Sequence, residues 1–89
     1  MVKLETTIIN KLGLHARAAA KFVALASSFA SDIKVSKDDQ TVNGKSIMGV
    51  IMLAAAKNTS LLLTIDGEDE TEAADGLSEL INDRFGEDE

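Results

Sequence analysis

The sequence predicts an α+β fold in which helices cover one face of a single sheet, with elements in the order β-α-β-β-α-β-α. Several short segments alternate apolar and polar residues, as half-buried strands do. The segments between them carry apolar residues at helical spacing, on one stripe only. A chain of 89 residues is expected to form one domain over 1–89, and a core of that size is most readily built from two such layers.

Residues 2–8 set Val2, Leu4, Thr6 and Ile8 against Lys3, Glu5 and Thr7, which predicts the first strand. Leu12-Gly13-Leu14 reads as a loop. From Ala16 to about Ser27, residues Ala19, Phe22, Val23 and Ala26 recur at helical spacing in an alanine-rich run. Ile33 and Val35 alternate with polar neighbours over about 32–37, and Lys37-Asp38-Asp39-Gln40 turns the chain into a short strand around Thr41-Val42. Asn43-Gly44 is a hairpin dipeptide, but Lys45-Ser46 ahead of Ile47 to Ala56 has the form of a capped helix start. Ten helix-compatible residues favour the helix, although Gly49 within it costs about 1 kcal/mol relative to alanine. Lys57-Asn58-Thr59 makes a turn in which Asn58 suits a left-handed conformation. Ser60 to Asp66 is a strand with Leu61, Leu63 and Ile65 on one face, followed by an acidic turn to Glu70. The last helix, about 71–85, aligns Ala73, Ala74, Leu77, Leu80, Ile81 and Arg84 on one stripe. Gly86 stops it, and the acidic residues beyond are expected to fray. Pattern alone leaves the strand order open, since a ferredoxin-like sheet shares this order of elements.

Composition narrows the function classes. Fifteen acidic and nine basic residues leave a net charge of −6, which opposes nonspecific nucleic-acid binding. With no cysteine there is neither a disulfide framework nor a thiolate metal site. No apolar run reaches the roughly 18–20 residues of a membrane span, and the N-terminus lacks a signal-peptide apolar core. A cytoplasmic protein without membrane insertion is expected. The acidic cluster Asp66 to Glu72 lacks the spacing of a calcium loop and reads as a solvated turn.

The only histidine, His15, stands between the Leu12-Gly13-Leu14 loop and the alanine-rich helix, with Arg17 two residues on. Free N–H groups and the positive end of the helix dipole make a helix N-terminus an anion site. The same field disfavours an imidazolium there, so a neutral, nucleophilic ring is expected. A nucleophile, two or three N–H donors and a guanidinium that grips phosphoryl oxygens in a bidentate way together suggest phosphoryl chemistry. No second histidine, cysteine or paired-carboxylate motif accompanies His15, which argues against a hydrolase. Ser46 is explained by helix capping alone. Ile47, Met48, Ile51 and Met52 cannot all face a core alongside Val50 and Leu53, and a helix apolar all round at an exposed position marks a partner surface.

Gly13-Leu14-His15-Ala16-Arg17 and Asn43-Gly44-Lys45-Ser46-Ile47-Met48, at this separation, resemble the histidine phosphocarrier (HPr) family of the phosphoenolpyruvate-dependent phosphotransferase system. The length, the element order and Leu53-Ala54-Ala55-Ala56-Lys57 extend the likeness over essentially the whole chain. The resemblance implies an open-faced β-sandwich: a four-stranded antiparallel sheet in the order 1-4-2-3 with three helices on one face. It implies that His15 is phosphorylated by enzyme I and discharged onto a IIA domain. Arg17 and the backbone amides of Ala16 and Arg17 would hold the phosphoryl oxygens. Ser46 matches the serine that HPr kinase/phosphorylase modifies in many relatives. Ala16 and Ala20, with Ile47, Met48, Gly49, Ile51 and Met52, would form the surface on which enzyme I and IIA domains dock in turn. The implied protein is a monomeric, stoichiometric carrier without cofactor or metal, not an enzyme.

Two positions depart from the commonest family pattern. Ala18 stands where many sugar-system members have proline, which leans towards the nitrogen-related branch, a regulatory carrier not coupled to sugar uptake. Asn58 stands where glycine is usual and tolerates the same backbone. The rival from another class is a ferredoxin-like ligand-binding or interaction domain in which His15 is incidental.

Overall fold

Two matching rows of apolar side chains hold the sheet together. Leu61, Leu63 and Ile65 of one strand are fully buried; Leu4 and Val35 flank Leu63, Val2 and Ile33 flank Ile65, and Leu61 lies opposite Thr6. The strand that carries them is therefore central. The computed structural model describes all 89 residues. Its elements are β1 (Val2–Thr7), α1 (Ala16–Ser27), β2 (Asp32–Lys37), β3 (Gln40–Asn43), α2 (Ile47–Met52), β4 (Ser60–Asp66) and α3 (Glu70–Asn82), closed by a 3-10 turn at Arg84–Gly86. The four strands are antiparallel in the order β1-β4-β2-β3. That is the order the family resemblance implies, and it excludes the ferredoxin-like sheet.

The helices lie on the face to which Leu61, Leu63 and Ile65 point. α1 contributes Ala18, Ala19, Phe22, Val23 and Ala26 to the core, and α3 contributes Ala73, Ala74, Leu77 and Ile81. Lys3, Glu5 and Lys34 project from the opposite face into solvent, so each strand alternates as a one-sided sheet requires. Asn43-Gly44 is not a hairpin turn. The β2–β3 turn lies at Asp38-Asp39, with Asp38 left-handed at φ 52°. Gly44 serves a close approach instead: its N–H donates to the Ile33 carbonyl at 2.7 Å, and a Cβ there would stand 2.6 Å from Ile33 Cγ2.

Four local expectations are corrected. The first strand ends at Thr7, one residue early, and Ile8 beyond it is fully buried, its N–H donating to the Thr59 carbonyl at 2.9 Å. The second helix stops at Met52 instead of Ala56. Its continuation breaks at Ala54, left-handed at φ 51°, which turns Ala55 inward to a buried position, while Lys37 Nζ donates to the Leu53 carbonyl at 2.9 Å. The third helix ends at Asn82, so Arg84 is exposed and off the apolar stripe. Phe85, not Arg84, completes the core, fully buried with φ 55°. Finally, Asp69 in the acidic turn is no idle solvated charge. Its carboxylate accepts from the N–H groups of Ala30 at 2.8 Å and Ser31 at 2.9 Å and from Ser31 Oγ at 2.5 Å, tying the start of α3 to the loop between α1 and β2. The Ser31 hydroxyl, then the Ala30 amide, hold the Asp69 carboxyl below its ordinary range.

Left-handed backbone costs an L-residue roughly 1–2 kcal/mol that glycine escapes. Ala54, exposed and clear of the core, carries that cost. Ala54→Gly is therefore expected to stabilise the protein by about 1 kcal/mol, raising Tm by roughly 4–8 °C for a domain of this size. Thermal unfolding followed by circular dichroism checks it, and a lowered Tm would contradict the assigned conformation.

Candidate functional site

A short loop under tight backbone constraint delivers His15 to the start of α1. Gly13 has φ 70° and packs so closely on the α2–β4 connection that a Cβ would lie 2.5 Å from the Ala55 carbonyl oxygen and 2.9 Å from Ala56 Cα. Leu14 follows, with its N–H donating to that same Ala55 carbonyl at 2.8 Å and its side chain in the core. With Leu14 pinned, His15 falls at the N-cap of α1 in extended conformation, φ −72° and ψ 176°. The His15 carbonyl accepts the Ala19 N–H at 2.8 Å, but no side chain caps the helix. The amides of Ala16 and Arg17 have no acceptor within the protein, and the first turn contains no acidic residue to neutralise the dipole.

Arg17 is exposed on the first turn and has no carboxylate within salt-bridge distance. Beside it opens a cleft whose walls include Lys11, Leu12, Arg17 and Lys21 on one side and residues 86–89 on the other. His15, the free amides of Ala16 and Arg17, and the Arg17 side chain thus converge on one helix end. Such a constellation suits a nucleophile that acquires a dianionic group. Ala18 is fully buried in the same turn.

The chain's end does not fray. Phe85 is buried, Lys21 Nζ donates to its carbonyl at 2.7 Å, and the Lys11 N–H donates to the Glu89 carbonyl. Glu87 is thereby folded onto the site: one carboxylate oxygen meets His15 Nε2, and the other accepts from Asn10 Nδ2 at 2.8 Å. The His15 ring and the Glu87 side chain are 27% and 15% exposed, so the pair is shielded yet reachable. Asn10 is fully buried and also donates to the Gly13 carbonyl at 2.9 Å. The Asn10 amide, then the His15 ring, hold the Glu87 carboxyl below its ordinary range, with Arg17 adding to the effect. Sequence reasoning missed Asn10, Glu87 and the exposed Leu12. Leu12 alone had a signal, a large apolar residue in a loop with no periodic partner.

Ser46 is the N-cap of α2, and its Oγ accepts the Gly49 N–H at 3.1 Å. Ile47, Met48 and Met52 are 46%, 66% and 67% exposed, while Val50 and Leu53 are buried. Ile51 and Gly49 are half-buried, and Ile51 packs against the core. Ala16 and Ala20 are exposed on α1, which packs against α2. The apolar residues of α2 therefore divide between core and an uncovered surface near the His15 helix.

A family profile described as the phosphotransferase-system HPr component phosphorylation site matches residues 2–83. The chain is 58% identical over 89 residues to phosphocarrier protein HPr of Neisseria meningitidis, covering 100% of both sequences. Among solved structures it is similar to HPr-C-His of Thermoanaerobacter tengcongensis, with a TM-score of 0.96, 46% identity and 100% of each chain covered. It is also similar to an HPr dimer of the same organism, with a TM-score of 0.76, 48% identity, and 98% of this chain and 100% of that one covered.

Gly13→Ala is expected to destabilise the fold by about 2 kcal/mol or more, from left-handed strain plus the clash with the Ala55 carbonyl. Chemical denaturation measures the loss. A variant as stable as the parent would show that Gly13 does not set the loop.

Proposed function

The chain belongs to the HPr family of the phosphotransferase system, and from that premise we propose that this phosphocarrier takes its phosphoryl group on His15 from enzyme I and hands it to a IIA domain. The observation that carries the reading is the imidazole at the N-cap of a 12-residue helix whose first amides are unpaired, beside an unpaired Arg17. His15 Nε2 is engaged by Glu87, so Nδ1 is the nitrogen left to attack phosphorus. Charge then spreads over the equatorial oxygens of a loose transition state. The Ala16 and Arg17 amides and the Arg17 guanidinium meet that charge, and they need no rearrangement to do so. The phosphoramidate formed is labile, as onward transfer requires.

The protein acts as a stoichiometric carrier with no turnover of its own on a small molecule, and the whole chain serves as one carrier domain. Ala16, Ala20, Ile47, Met48, Gly49, Ile51 and Met52 form the docking surface. Its exposed methionines give one patch the adaptability that two different partners demand. Ser46 is a regulatory site: a phosphate on this N-cap is tolerated by the helix and adds roughly two negative charges beside the docking surface. HPr kinase/phosphorylase is the partner class that reading requires. A net charge of −6 speaks against nucleic acid as a partner, and no helix is long and apolar enough to cross a membrane. We place the carrier in the cytoplasm and read it as a monomer, with β1 seated in its own sheet.

Incubation with phosphoenolpyruvate and a bacterial enzyme I is expected to add one phosphate by intact mass, removed by brief acid and never acquired by His15→Ala. Arg17→Lys is expected to cost roughly tenfold or more in transfer rate, because a point charge does not reproduce the planar guanidinium. No added mass with several active enzyme I preparations would overturn the reading.

A further inference from the structure

Glu87 reaches His15 across 72 residues of sequence, and the contacts that bring it there are independent of its own carboxylate. Arg84, Phe85 and Gly86 are consecutive left-handed residues, at φ 57°, 55° and 78°. Burial of Phe85, the Lys21 bond to its carbonyl and the Lys11–Glu89 backbone bond keep them so. Backbone held in a sparsely populated region by its surroundings is characteristic of functional sites. Behind Glu87, the buried Asn10 turns its NH2 to two acceptors, Glu87 and the Gly13 carbonyl, and leaves its own Oδ1 buried without a partner. A buried acceptor left unsatisfied is uncommon and costs stability. Here it accompanies an amide whose two N–H groups fix the carboxylate and the loop that carries His15.

We propose that Glu87, oriented by Asn10, is a positioning residue for phosphoryl transfer: it accepts the Nε2 proton of His15, holds the ring with its lone pair on Nδ1, and faces the positive charge the ring gains on phosphorylation. The inference rests on His15 being the phosphoryl acceptor. In the forward step the Nδ1 lone pair forms the N–P bond, the bond from phosphorus to the donor atom breaks, and that electron pair stays with the donor. Nε2 keeps its proton throughout, so the ring becomes a phosphoimidazolium opposite the Glu87 carboxylate. On discharge a lone pair of the acceptor's nucleophile forms the new bond to phosphorus, the N–P bond breaks with its electron pair returning to Nδ1, and Nε2 again keeps its proton. The arrangement follows the logic of a carboxylate that fixes the tautomer of a catalytic histidine without itself taking the proton. It acts on the ring, so its loss affects transfer and spares docking.

The test uses the full chain labelled with 15N in the histidine ring, at a pH where the ring is neutral, as the parent and as Glu87→Gln. The parent is expected to show the Nε2–H tautomer. In Glu87→Gln the new amide sets N–H groups against either Asn10 or the ring, so the population is expected to move towards Nδ1–H. Transfer from phospho-enzyme I is expected to slow about tenfold at saturation with an unchanged half-saturation concentration, in the range typical of lost orienting partners. Glu87→Asp, which keeps the charge on a shorter stem, is expected to recover part of the rate. A Glu87→Gln protein with the parent's tautomer, or with the parent's saturated rate, overturns the proposal. If His15 of the parent never takes up phosphate, the carrier reading fails instead. The tautomer measurement on unphosphorylated protein is unaffected by that outcome, so the two failures are distinguishable.

Discussion

The close approach of Gly13 to the Ala55 carbonyl is the constraint on which the site depends. It joins two loops distant in sequence, one leaving β1 and one leaving α2, and only a residue without a Cβ permits it. The Leu14 N–H shares the same carbonyl, so the chain has no freedom left when it reaches His15. The ring consequently stands at the N-cap, outside the helical hydrogen-bond ladder and in front of amides that have no other acceptor. The sheet and its apolar rows matter to function chiefly because they hold both loops in place.

Charge around the site is arranged in opposition. The helix end, Arg17, Lys11 and Lys21 make one side positive, while a strongly acidic chain supplies its last residues as the other wall of the cleft. The helix start carries no acid of its own, so the field there is left for what binds. Glu87 is the exception, and it meets the histidine, leaving the helix amides open. A buried asparagine with an unsatisfied oxygen accompanies that placement. Such a cost borne in an otherwise well-paired core marks the place where stability gives way to positioning.

Where structure was local, the sequence was readable. The alternation of β1, β2 and β4, the stripes of α1 and α3, the Ser46 cap and the position of His15 before a helix all follow from neighbours within a turn or two. Strand order did not follow from periodicity, because it reflects which apolar rows meet; the family resemblance supplied it. Ala54 and Ala55 read as helix, since alanine favours one, but tertiary packing draws Ala55 inward and overrides the propensity. Phe85 sits three residues beyond α3 in a conformation rare for an aromatic side chain, so the stripe pointed to Arg84 instead. Asn10 and Glu87 carried no signal at all, since 77 residues separate them and neither belongs to a motif. Acidic residues past a helix-stopping glycine normally fray, and here Phe85 and Lys11 hold them down.

The proposed phosphoryl transfer runs through one particular ring nitrogen of His15, set by the loop and the helix end. The most direct measurement is 31P–15N coupling in the phosphorylated protein labelled with 15N in the histidine ring. Phosphorus bonded to Nδ1 with the proton retained on Nε2 is the expected result. Phosphorus bonded to Nε2, or to any residue other than His15, would contradict it.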